Sequence, residues 1–153
     1  MTPNWQQEVV RVIEEAINGN QGVFLDQGTE PIAELRTLTA EQANTVIPGA
    51  GNSVVNQVQH LITTIAMHQP QFMGGEYPDL DWGADWAPQN LTTDEWVQLL
   101  DDLDRSQEEL KTWITAPAIP QDQGYAAACI MVVTHLAFHI GQIRHAAGYA
   151  QQT

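Results

Sequence analysis

Four stretches of the chain repeat their apolar residues at helical period. In the first, Trp5, Val9, Val12, Ile13, Ala16 and Ile17 form one stripe, with Thr2 placed to cap and Pro3 suited to the first helical position. Asn18-Gly19-Asn20 stops it. A long connection follows, with a short helical piece around Pro31–Leu38 and a Thr39-Ala40-Glu41-Gln42 turn that matches a capping box. Pro48-Gly49-Ala50-Gly51-Asn52 breaks the chain again, and Ser53 is a good cap for the second helix. Val54, Val55, Val58, Leu61, Ile62, Ile65, Phe72 and Met73 mark that helix, which ends near Gly74-Gly75, with Pro70 set to distort its last turn.

Residues 76–92 read as a loop that folds back on the body through Trp82 and Trp86. Thr93 and Trp96 open the third helix, with Leu99, Leu100, Leu103, Leu110, Trp113 and Ile114 facing inward. Pro117 and Pro120 end it, and Asp122-Gln123-Gly124 leads into the fourth. The fourth is apolar nearly all round, which predicts the most buried helix. No alternating strand-length run and no internal repeat occurs. The pattern predicts one all-α domain over residues 1–153, an antiparallel four-helix bundle with a long first crossover.

Charge narrows the partners. The chain has 5 Lys+Arg against 19 Asp+Glu, a formal net charge of −14. Such a surface repels nucleic acid and anionic lipid, so neither is expected as a partner. It favours a small neutral or cationic ligand, or one held by a metal. Cys129 is the single cysteine, so no intrachain disulfide forms. The N-terminus shows no signal peptide, and the expected location is the cytoplasm. The stretch Tyr125–Ile143 is long enough for a membrane span, but it contains His135, His139, Gly141 and Gln142 and lacks basic flanks. A helix buried in the bundle is the expected form.

The same stretch carries the candidate chemistry. His135 and His139 stand one helical turn apart, offset by about 40° around the axis and about 6 Å along it, on one face. Gln142 returns to that face, whereas His145 points away, toward solvent. In an apolar helix each imidazole needs a hydrogen-bond partner or a metal. His60, near the inward edge of the second stripe, is the candidate third ligand; His68, rotated by roughly 80° from it, is the weaker one. Three histidines with an open position suit a catalytic zinc site, and imidazole also suits nickel and iron. The alternative is a pair of core histidines bonded to each other or to backbone carbonyls.

Other signatures are missing or bland. There is no HExxH and no ExxH pair. Gly49-Ala50-Gly51 is a plain loop more than an anion nest. Cys129 falls about 120° off the histidine face and reads as a small core residue. Asp101, Asp102 and Asp104 read as the solvated face of the third helix. No catalytic acid or base stands out: Glu76, Asp81 and Asp85 read as solvated loop carboxylates, and Trp82 and Trp86 as packing anchors that shape the mouth of a site.

His135-Leu136-Ala137-Phe138-His139-Ile140-Gly141-Gln142-Ile143 resembles the HxxxHxGQI signature of the DinB / YfiT-like superfamily, metal-dependent hydrolase and thiol-transferase bundles. Pro48-Gly49, Ser53-Val54-Val55 and His60-Leu61 resemble the family's second-helix segment. The Asp81-Trp82, Trp86-Ala87-Pro88 and Thr93-Asp94-Glu95-Trp96 stretches resemble one branch of it. The resemblance spans about residues 30 to 148. It implies an up-down-down-up four-helix bundle that pairs as a homodimer. It implies a divalent metal, zinc or nickel before iron, on His60, His135 and His139, with Gln142 in support. Gly141 would let a neighbouring helix approach closely. It further implies a small-molecule substrate and, in some members, a low-molecular-weight thiol activated by the metal.

Two function classes therefore stand beside a structural one. The first is a metalloenzyme that activates water or a thiol, a hydrolase or thiol S-transferase. The second is a non-catalytic bundle that holds a metal or small ligand, a stress-response protein. The third is a dimer whose histidines serve only as a hydrogen-bonded core.

Overall fold

The computed structural model describes residues 4–19 and 21–152. The expected cap at Thr2, the Pro3 position and Asn20 lie outside the described residues. Among the described residues there is no strand, and the chain is all-α. The elements are α1 (Trp5–Asn18), α2 (Pro31–Leu35), α3 (Ala40–Asn44), α4 (Val54–Met73), α5 (Trp82–Trp86), α6 (Thr93–Thr115) and α7 (Gln123–Ala150).

The local chemistry of the chain sets most of these boundaries. α1 stops at Gly19, whose φ of 58° is left-handed; a Cβ there would also run into the Thr29 carbonyl oxygen. Thr39, Ser53 and Thr92 each accept a backbone N–H bond at the start of α3, α4 and α6, and Gln42, Asn56 and Glu95 reach back in three capping boxes. Asp122 caps α7 by accepting from the Tyr125 N–H. Pro70 stays inside α4, and its carbonyl accepts the Gly74 N–H that closes the helix.

The long helices share one core. α4 packs on α6 and α7, and α1 packs on the same two helices. The apolar stripes meet there: Ile13 of α1, Leu61 and Ile65 of α4, Leu103 and Leu110 of α6, and Leu136 and Ile140 of α7 are all buried. Fully burying such a side chain stabilises by about 1.5–3 kcal/mol relative to exposure. The short helices lie over the gaps, with α2 and α3 in the first long connection and α5 against α4. Arg36, just past α2, bridges Asp101 and Asp104 of α6, the acidic cluster expected on a solvated face.

Two expectations change. Residues 76–92 do not form a plain loop: Asp81 caps α5 through the Gly83 N–H, and Asn56 Nδ2 of α4 donates to the Asp85 and Ala87 carbonyls, tying the segment down. α7 is not buried all round. Its length and composition would let it cross a membrane. One face packs on α1 and α4, and the other exposes Ile130, Met131 and Phe138. A helix with apolar residues on every side cannot turn all of them to a single core.

Candidate metal centre

The single turn between His135 and His139 sets two imidazoles side by side on the face of α7 that meets α4. Their ring centroids are 4.5 Å apart. α4 brings His60 to 4.6 Å from His139 and 5.8 Å from His135. One ring nitrogen from each of the three lies within 4.8 Å of the others, so the group could hold a metal ion. A tetrahedral ion with bonds of about 2.0–2.1 Å needs its nitrogens about 3.3 Å apart, a difference within reach of small ring rotations.

The second nitrogen of two of these rings is fixed. His60 Nδ1 lies 3.1 Å from Asp85 Oδ2, and Thr63 Oγ1 donates to Asp85 Oδ1 at 2.8 Å. A carboxylate accepts, so His60 carries its proton on Nδ1 and leaves Nε2 with a lone pair. His139 Nδ1 lies 3.2 Å from Gln57 Oε1, which accepts in the same way. The carboxylate–imidazole and amide–imidazole pairs are the support that metal-ligating histidines require. His135 Nε2 is buried and has no hydrogen-bond partner. Such an atom is costly to leave unpaired, and a cation satisfies it.

Electrostatics keep the two rings of α7 ready. Burial pushes His139 down to about 4, aided by the neighbouring His135 and His60, while Gln142 acts in the opposite direction. Burial, then His60 and His68, lower His135 as well. A neutral imidazole is the ligand form. The donor set is three nitrogens with no carboxylate or thiolate among them, which suits zinc and nickel and also accommodates iron.

A groove of about 370 Å³ leads to His139 between Trp86, Phe138, Gln57, Gln142, Gly51 and Asn52. A volume of this size admits a small molecule. Trp86 also stacks on His60, with centroids 4.6 Å apart, and Trp82 lies 5.8 Å from the same ring. Both indoles remain partly exposed, so they cover the site and form its rim.

Of the residues marked in the sequence, His60, His135 and His139 come together. Gln142 lies beside His139 in the groove and its side chain acts on that ring, while His139 Nδ1 donates to Gln57 Oε1. His145 is exposed. His68 is buried outside the three-histidine group. Gly141 is exposed, and a Cβ there would meet nothing within 4 Å, so among the described residues no other helix packs against it. Cys129 is buried among core residues, and burial pushes its thiol up to about 11. Asp81 is spent on its cap and Glu76 is exposed.

Asp85 is the correction that matters most: it is 4% exposed, not a solvated loop carboxylate. Gln57 went unmarked. It precedes Leu61 by one turn and Ile65 by two, so a polar residue on the buried stripe was the signal. Comparison of the chain with family models, with curated proteins and with solved structures found no match.

Proposed function

We propose that this chain is an antiparallel four-helix-bundle metalloprotein that holds one divalent cation on His60, His135 and His139 and uses it to act on a small molecule. The observation that carries the reading is the pairing of His60 with Asp85 and of His139 with Gln57, which turns both free nitrogens to one point beside the unpartnered His135 Nε2. A core histidine pair bonded only to itself has no use for a buried carboxylate behind one ring. The resemblance of residues 135–143 to the DinB / YfiT-like signature points the same way and adds a homodimer in the cytoplasm.

A divalent cation there would supply a Lewis acid that lowers the pKa of a coordinated water or low-molecular-weight thiol toward neutrality. The chain's own part is to position. Asp85 and Thr63 lock His60, Gln57 locks His139, and Trp86 and Phe138 shield the rings on the groove side. Among the described residues no charged side chain lines that groove, so the reacting molecule is neutral or carries its charge at the metal. The reaction class is hydrolysis or thiol transfer.

The test is elemental analysis of tag-free protein beside His60→Ala and His139→Ala. About one zinc or nickel per chain in the wild type, lost in both variants, is the expected result. A wild type that holds no metal after zinc or nickel is offered and dialysed away, or variants that keep it, would overturn the reading.

A further inference from the structure

His60, Thr64 and His68 follow one another at single-turn intervals on α4, drifting by about 40° at each step around one face. The first belongs to the candidate metal centre. The other two bury polar atoms without hydrogen-bond partners, Thr64 Oγ1 and His68 Nε2. His68 is only 3% exposed. Its Nδ1 lies 2.8 Å from Gln71 Oε1. An amide oxygen accepts, so the ring proton sits on Nδ1 and Nε2 presents a lone pair. Buried acceptors in native proteins are nearly always paired, and this one asks for a donor that the described residues do not supply.

A groove of about 410 Å³ runs between α4 and α7 at this point, walled by Met67, His68, Gln71, Met131, His135 and Phe138. Thr134 lines it too, but its hydroxyl is spent on the Ile130 and Met131 carbonyls. Among the described residues, no charged side chain lines the walls. They offer two thioethers and an aromatic ring, surfaces that adapt to an apolar or aromatic body. Phe138 also borders the groove at His139. It is 61% exposed and stands as a partition, with His139 on one side and His135 on the other.

We propose that the His68 groove is a second small-molecule subsite, taking an uncharged ligand with an apolar or aromatic body and one O–H or N–H donor for His68 Nε2. Met67 and Met131, unbranched and flexible, are the side chains that yield to admit it. The subsite abuts His135, so its occupant is the second reactant at the metal. That role rests on the metal-centre reading; the binding itself does not.

The test uses the full chain with carbon-13 methionine methyls at pH 7.5, both zinc-loaded and after chelation. Phenol and anisole are titrated, two rings of similar shape of which only phenol donates. Phenol is expected to move the Met67 and Met131 methyls and leave Met73 in place, with anisole about fivefold weaker, the worth of one hydrogen bond. His68→Phe should remove phenol's advantage. Met131→Trp, a change at a half-exposed position, should fill the groove and abolish both responses while the fold persists. Equal binding of phenol and anisole, a preference that survives His68→Phe, or Met67 and Met131 methyls that stay still would overturn the proposal. Zinc content is measured on the same samples. Zinc bound without a phenol response sinks the groove alone. A phenol response in a chain that never holds zinc keeps the subsite and removes its role as second reactant.

Discussion

Asp85 Oδ2 sits 3.1 Å from His60 Nδ1, and both residues are buried. The carboxylate comes from α5, a short helix in the 76–92 segment, and the imidazole from the second turn of the α4 helix. Removing the carboxylate frees His60 to take its other tautomer and leaves Thr63 Oγ1 without its acceptor. Asp85→Ala should therefore weaken zinc binding by about 10–100-fold, with Asp85→Asn in between because its amide oxygen still accepts. Competition against a chromophoric chelator reads this directly. Equal affinity in all three proteins would remove Asp85 from the site.

Trp86 lies 4.6 Å from His60, centroid to centroid, and so stands next to the candidate ion. A paramagnetic ion such as nickel or cobalt should quench its fluorescence on binding, whereas zinc should not. Trp86→Phe should remove a large share of the quenching amplitude without changing metal stoichiometry. Quenching that survives in full would mean the ion binds elsewhere.

Glu15 ties the first long connection to α1. Its carboxylate accepts backbone N–H bonds from Gln21, from Val23 at 2.6 Å and from Phe24 at 3.2 Å. Burial acts to raise its pKa, but the backbone donors outweigh that and hold it below the ordinary 4.5. The sign follows from linkage: the ionised form is favoured on folding, so its stabilisation is fully present above the ordinary value and is lost as pH falls below it, through the lower value of the folded state. Glu15→Gln should flatten the acid limb of thermal stability below the ordinary 4.5 while leaving the other carboxylates' share intact. Parallel curves for the two proteins would contradict this.

Cys129 is 1% exposed and its thiol is pushed up to about 11 by burial. The thiolate is the reactive form, so native protein at pH 8 should resist iodoacetamide for hours and react at once when unfolded in guanidinium. Mass spectrometry counts the adduct. Rapid labelling of the native chain would place Cys129 in an opening segment of α7.

The sequence carried the helices and the three histidines because both obey local rules. Thr39 and Ser53 mark helix starts through short-range hydrogen bonds, and a single turn of helix puts His135 beside His139. The supporting residues were harder to see. Asp85 acts on His60 from 25 positions away, and Gln57 acts on His139 from 82. No period in the chain encodes such pairs; only the folded packing does. α5 was missed because five residues between Pro78 and Pro88 leave no measurable period, although Asp81 before Trp82 was a usable cap signal. The exposure of Ile130, Met131 and Phe138 shows the limit in reverse: uniform apolarity says a helix has company, not on which side.

His135 and His139 ride on one helix, and their mutual spacing is as rigid as that helix. His60 rides on another. The bite of the donor set is then a gauge of the gap between α4 and α7, set by residues such as Leu61, Ile65, Leu136 and Ile140 that touch no ion. Trimming or enlarging one of these would change which ionic radius fits best while leaving every donor in place. In the proposed centre, ion preference would thereby be a property of the close-packed core, and it would drift through substitutions that look silent at the site itself.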